Sequence, residues 1–256
     1  MQTPPHRPEF ARLRASLADE YACLIAGLPG VLDVLVPPCP RWTGHELAEH
    51  LTHVYLHKVY CMRHGQEPQI WPPALPAGLS VVEWLQQSYG ELVAEFDRRA
   101  PQDPAYTWHR PDQTVGFWIR RMALETVIHR IDVDLTVGAG SPVIDADIAL
   151  DCVDELLRIF LCHATVNWPD MFGNTLAKCD GSVVAISAGD RRWLLTLDPG
   201  GVQVAEDPDG RADAEVAADP DAVARWAWGR ARVEPTVTGR PELVERLLDL
   251  VNLAIQ

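Results

Sequence analysis

The sequence is short of the features that most quickly assign a protein. Its apolar runs fall well below the ~20 residues of a membrane span, and its start, MQTPPHRPEF, lacks the apolar segment of a signal peptide. A cytoplasmic protein with no membrane partner is expected. Six cysteines (Cys23, Cys39, Cys61, Cys152, Cys162 and Cys179) include no C-x-x-C pair. That scatter speaks against a zinc ribbon or a disulfide frame and for reduced thiols. None sits in a motif that would activate it as a nucleophile. The formal charge of −14 leaves too little concentrated Lys and Arg for a phosphate backbone, so no nucleic-acid partner is expected. H-E-x-x-H is absent, as are internal repeats and low-complexity stretches.

What remains is a chain of 256 residues with 47% apolar side chains, enough for one large domain or two ordinary ones. Its organising stretch is 116–137, GFWIRRMALETVIHRIDVDLTV. Glu125 and His129 stand four apart and so share one face of a helix. Leu124, Val127, Ile128 and Ile131 around them direct that helix towards a core. A carboxylate and an imidazole in such surroundings need a partner, because an unpaired buried charge is costly. An Arg, a second buried polar group or a metal ion would serve; a plain Glu–His hydrogen bond is the simplest alternative.

A second helix can supply the missing partner. Thr43-Gly44-His45-Glu46 fits a capping box, with Trp42 and Leu47 as its hydrophobic staple, and Gly65 closes the helix after His64. This helix carries His45, His50, His53 and His57. His50 falls beside Leu47, Leu51 and Val54 and is expected to point inward. His53 and His57 lie on a neighbouring stripe, where solvation or a supporting role is expected. An inward His50 facing Glu125 and His129 makes three plausible ligands of the kind zinc takes, with a fourth position open for chemistry.

Other helices are predicted over 8–28, from the Ser80–Glu83 capping box to about Arg99, and over 145–167. The proline-rich VLVPPCPRW reads as an extended connection. Near residue 170 the pattern changes to short β-type runs at Ser182–Ser187, Trp193–Leu197, Val202–Ala205, Ala214–Ala217 and Glu234–Thr238. Helices beginning at Pro220 and Pro241 complete the chain. An α+β protein of two domains follows, with a boundary near 168–178.

With these residues placed, the chain resembles the mycothiol-dependent maleylpyruvate isomerase family. The stretches VPPCPRWTGHELAEHL, RRMALETVIHRID and WAWGRARVEPTVTGRPELVERLL carry the likeness. The resemblance implies a DinB-like up-down helical bundle over 1–170, followed by a small α/β, sterol-carrier-like domain over 178–256. It implies His50, Glu125 and His129 as three zinc ligands. It also implies Arg230, in the WGR triplet, as an arginine that reaches the active site from the second domain and serves catalysis and cofactor binding; Arg225 and Arg232 lie close by. Leu124 is a departure, since relatives often carry histidine there. Asp132 either orients a ligand imidazole or pairs with Arg130 at the surface. Trp226 and Trp228 read as core and interface residues.

The activity implied is a zinc enzyme that uses a low-molecular-weight thiol, mycothiol, against an electrophilic small molecule. Addition, rotation and loss of the thiol would isomerise the substrate; release of the adduct would make the protein a thiol S-transferase. A zinc hydrolase of a small amide or ester is one alternative. A non-catalytic protein that binds a metal and a small ligand is another. A monomer is expected.

Overall fold

The computed structural model describes residues 7–138 and 140–255. It is mixed α and β, and it divides into two compact units, one from Pro8 to Pro142 and one from Val143 onward.

The first unit is helical. Its helices are α1 (Phe10–Gly27), α2 (Gly44–His64), α3 (Val81–Arg98) and α4 (Val115–Val137). Helix α1 packs on α4, and α2 packs on both α3 and α4. Leu13, Leu17 and Leu24 of α1, Leu47, Leu51 and Tyr55 of α2, and Leu85 and Leu92 of α3 form the core with α4. Helix α4 is buried on nearly every side from Val115 to Val133, as a helix must be at the centre of a unit. Thr114 caps its start by accepting from Phe117 N–H at 3.3 Å, and Gly138 ends it in the left-handed conformation, φ 74°. The capping boxes expected at Thr43–Glu46 and Ser80–Glu83 are both present.

The connection before α2 departs from the sequence reading. The proline-rich stretch before α2 is a short antiparallel hairpin, β1 (Leu35–Val36) and β2 (Cys39–Thr43), turned by Pro37-Pro38. Proline is tolerated because neither strand is internal to a larger sheet.

The second unit is built on a five-stranded sheet in the order β5-β4-β3-β6-β7. Its strands are β3 (Ser182–Ala188), β4 (Arg191–Leu197), β5 (Gln203–Glu206), β6 (Ala214–Ala218) and β7 (Thr236–Gly239). Strands β3 and β6 run parallel; the other neighbours are antiparallel. Helices α5 (Ala146–Glu155), α6 (His163–Asn167), α7 (Gly173–Ala177), α8 (Pro220–Ala227) and α9 (Pro241–Ala254) surround it. Strand β4 alternates cleanly, burying Arg191, Trp193, Leu195 and Leu197.

Here the structure moves the expected boundary. Composition put the helix over 145–167 with the bundle and the break near 168–178. The compact units instead part between Pro142 and Val143. The reason is what the helix buries. Helix α5 packs on α8, and its continuation Leu156–Cys162, a π-helical stretch, packs on α9 and β5. Its acids are committed to the same unit: Asp154 accepts from Arg158 at 2.8 Å, Arg191 at 2.9 Å and Trp193 Nε1 at 3.1 Å.

Candidate metal centre

The start of α2 decides where His50 points. Its first N–H groups have no partner inside the helix, and the turn just before β1 supplies them: Gly44 N–H donates to Val34 O at 3.0 Å and His45 N–H to Leu32 O at 2.9 Å. Only glycine fits at 44, because a Cβ there would lie 2.3 Å from Val31 O. Thr43 N–H donates to Glu46 Oε2 at 2.7 Å and closes the turn. Trp42, just ahead of the cap, lies against the His50 ring, with centroids 4.7 Å apart.

From this start His50 faces α4. Its Nε2 lies 3.2 Å from Glu125 Oε1, and His129 Nε2 lies 3.3 Å from the same oxygen. One ligating atom from each of His50, Glu125 and His129 lies within 4.8 Å of the other two. Donors bonded to one zinc at ~2.0–2.1 Å in a tetrahedron stand about 3.3 Å apart. The two Glu125 distances already match that spacing, and two imidazole nitrogens with one carboxylate oxygen are a donor set zinc accepts. The residues therefore fit a divalent ion.

The surrounding groups set protonation. His129 Nδ1 lies 2.9 Å from Asp132 Oδ2, whose side chain is fully buried. With Nδ1–H donated there, the Nε2 lone pair is the one turned towards His50 and Glu125. Burial alone would lower the His129 pKa, but the Asp132 and Glu125 carboxylates raise it to about 9. A metal must therefore displace a proton from Nε2. Burial, with the neighbouring His129, lowers the pKa of His50 against the pull of Glu125. Burial would raise the Glu125 carboxyl, yet Arg121 foremost, then His129 and His50, hold it well below the usual carboxylate range. Arg121 does so by donating to Glu125 Oε2, which leaves Oε1 for the two histidines.

The other expected residues separate clearly. His53 does not join the group: its Nε2 lies 3.0 Å from Pro73 O and its ring meets Trp84 and Trp71. His57 packs edge-on against Trp71. Asp132 is not a surface partner of Arg130, which pairs instead with Glu20 at 2.5 Å and Asp134 at 2.7 Å. Leu124 is 1% exposed and belongs to the apolar core. Arg121 was not singled out by the sequence, although its place four residues before Glu125 is the signal for such a pair. Nor was Trp42, except as a staple.

In the second unit, Arg230 follows Gly229, whose φ of 72° turns the chain after α8. Arg230 is half-buried and donates from its guanidinium to Trp228 O. Arg225 is buried against Asp221, 2.8 Å away, which sets it apart from Arg230. Trp226 and Trp228 are both 7% exposed, and Trp228 packs edge-on against Phe160.

A four-helix unit in which α2 and α4 present two imidazoles and a carboxylate from facing surfaces defines a candidate metal-binding domain. Residues 10–134 match the family model of the mycothiol maleylpyruvate isomerase N-terminal domain. That match spans nearly all of the helical unit. A solved structure described as a UbiJ-SCP2 ubiquinone synthesis protein aligns over 40% of this chain and 88% of its own, at 21% identity and a TM-score of 0.33. No curated protein matches the sequence significantly. Among the described residues no helix is long and apolar enough to cross a membrane.

Proposed function

We propose that the protein is a zinc enzyme, acting as a cytoplasmic monomer, that brings a low-molecular-weight thiol, mycothiol, to an electrophilic small molecule. The observation that carries this reading is the convergence of His50, Glu125 and His129 within 4.8 Å, inside a unit of the mycothiol maleylpyruvate isomerase N-terminal family. Zinc held there would supply Lewis acidity that deprotonates a thiol at neutral pH. The chain's own residues do the rest. His50, Glu125 and His129 hold the ion, Asp132 fixes the tautomer of His129, and Arg121 keeps Glu125 ionised. Arg230 holds a carboxylate of substrate or thiol through two parallel hydrogen bonds, which lysine cannot reproduce. Addition of the thiol sulfur to a conjugated double bond, rotation about the resulting single bond and loss of the thiol give isomerisation. Protonation and release of the adduct give S-transfer.

Metal content and thiol consumption, measured together, test this reading. The wild type should carry about one zinc per chain and turn over with mycothiol, but not without a thiol. Alanine at His50, Glu125 or His129 should remove the metal. Arg230→Ala should keep zinc and lose about 2–4 kcal/mol of transition-state stabilisation, and Arg230→Lys should restore little of it. Full zinc in all three ligand variants, or equal turnover without thiol, would overturn the reading.

A further inference from the structure

Of the 22 basic residues in the chain only two are lysines, Lys58 and Lys178. Lys58 lies on α2 two turns beyond His50, and its position is unusual for a lysine. Its Nζ sits 4.9 Å from the ring centroid of Trp118 on α4, and Trp118 is fully buried. The ammonium is thus turned inward against α4, not extended to solvent as long cationic side chains usually are. Its polar neighbour is His57 Nδ1, at 3.3 Å. Among the described residues no carboxylate oxygen lies within 4 Å of it. Glu125 and Glu67 act on it only from beyond ion-pair distance, and the nearby Arg121 opposes it as a like charge.

A desolvated ammonium with a ring face and a neutral imidazole for company is a costly arrangement unless an anion completes it. The described residues do not provide that anion within ion-pair distance. Glu125 already serves Arg121 and both ligand histidines, and Asp132 is committed to His129. Helices α2 and α4 run past one another so that His50 meets Glu125, Tyr55 meets Thr126 at 2.7 Å, and Lys58 meets Trp118. Lys58 and Arg121 therefore lie on the same side of the triad, towards the end of α2 and the start of α4. A divalent ion on the triad would leave this region with positive charge in excess.

We propose that Lys58, backed by Arg121, anchors a carboxylate-binding subsite inside the helical unit, beside the His50–Glu125–His129 triad. Arg121 keeps the subsite cationic while its own hydrogen bond stays with Glu125. Lys58, a mobile point charge with three donors, takes the ligand's carboxylate. In the proposed reaction, on which only the kinetic part of the test depends, this carboxylate belongs to the electrophile and sets which end of it faces the thiol.

Two lysines make the test direct. In full-length, zinc-loaded protein labelled with 13C at lysine Cε, the two signals are assigned by Lys178→Arg. Succinate is the probe, because it carries carboxylates but cannot accept a thiol; succinamide and phosphate are the controls. Burial and Arg121 lower the Lys58 pKa to about 8 without an anion. Succinate should move the Lys58 signal saturably and raise that pKa, while Lys178 and both controls show only the effect of salt. No saturable shift, or an equal response to phosphate, would overturn the subsite whatever the enzyme's activity. In kinetics, Lys58→Met should raise KM for a carboxylate-bearing electrophile about ten- to a hundredfold and leave its ester unaffected, with Lys58→Arg in between. Equal effects on acid and ester would assign Lys58 to structure and overturn the proposal. If the wild type turns over neither electrophile, the functional reading fails, and the succinate titration still decides the subsite.

Discussion

His129 uses both ring nitrogens: Nδ1 is tied to Asp132 at 2.9 Å while Nε2 faces Glu125 at 3.3 Å. Removing the Asp132 charge without removing its acceptor should reveal how much the carboxylate contributes. Asp132→Asn can still accept the Nδ1–H bond but no longer raises the basicity of the ring. Zinc affinity, measured by competition with a chelator, is expected to fall about ten- to a hundredfold. An unchanged affinity would make Asp132 a packing residue. The central residues of this site were legible in the sequence because helical spacing is rigid. A spacing of four from Glu125 to His129, of three from His129 to Asp132, and apolar neighbours around His50 leave little freedom on an α-helix. What the spacing could not show was depth. His53 has almost the same relation to the apolar face as His50, yet a loop carbonyl and two indoles take it out of the group. Lys58 was equally hidden, since nothing in the sequence says that a lysine will lie over a buried tryptophan.

Among the elements, the hairpin β1–β2 matters more than its size suggests. The residues leading into it, Leu32 and Val34, supply the carbonyls that receive the first N–H groups of α2, and Gly44 lets the helix approach Val31 closely. Gly44→Ala would force a methyl group to 2.3 Å from a backbone oxygen that cannot rotate away. A loss of about 1–3 kcal/mol is expected, as for overpacking elsewhere. Because the same contact aims His50, zinc affinity should fall with stability. Thermal unfolding with and without zinc checks both; an unshifted melting temperature would mean that the helix start yields freely. The hairpin escaped the sequence reading because three prolines in nine residues signal an extended chain without saying what it pairs with. The π-helical stretch Leu156–Cys162 escaped for a related reason: one widened segment within the helix predicted over 145–167 barely disturbs the apolar spacing. Capping boxes, by contrast, are local chemistry, and both were read correctly at Thr43 and Ser80.

At the scale of the whole molecule, the pattern of helices followed by strands correctly indicated an α+β chain, but it did not say which unit owns the helix after α4. Apolar periodicity records that a face is buried, not what buries it. Ile148, Cys152, Val153, Leu156, Leu157 and Leu161 are each no more than 1% exposed. Their partners include α8, α9 and β5, all later in the sequence. This yields a prediction that separates the two possible boundaries. A fragment ending at Pro142 keeps α1–α4 and all three candidate ligands, and its core is its own. It should fold as a helical unit and bind zinc with the affinity of the full chain. A fragment ending near residue 170 carries in addition a helix whose apolar side has lost its partners, and contiguous exposed apolar surface of that kind drives association. It is expected to bind zinc but to self-associate, as size-exclusion chromatography at increasing concentration would show. If the longer fragment is monomeric and the shorter one unfolded, the helix after Val143 belongs energetically to the bundle, and the composition break near residue 170 is the true boundary after all.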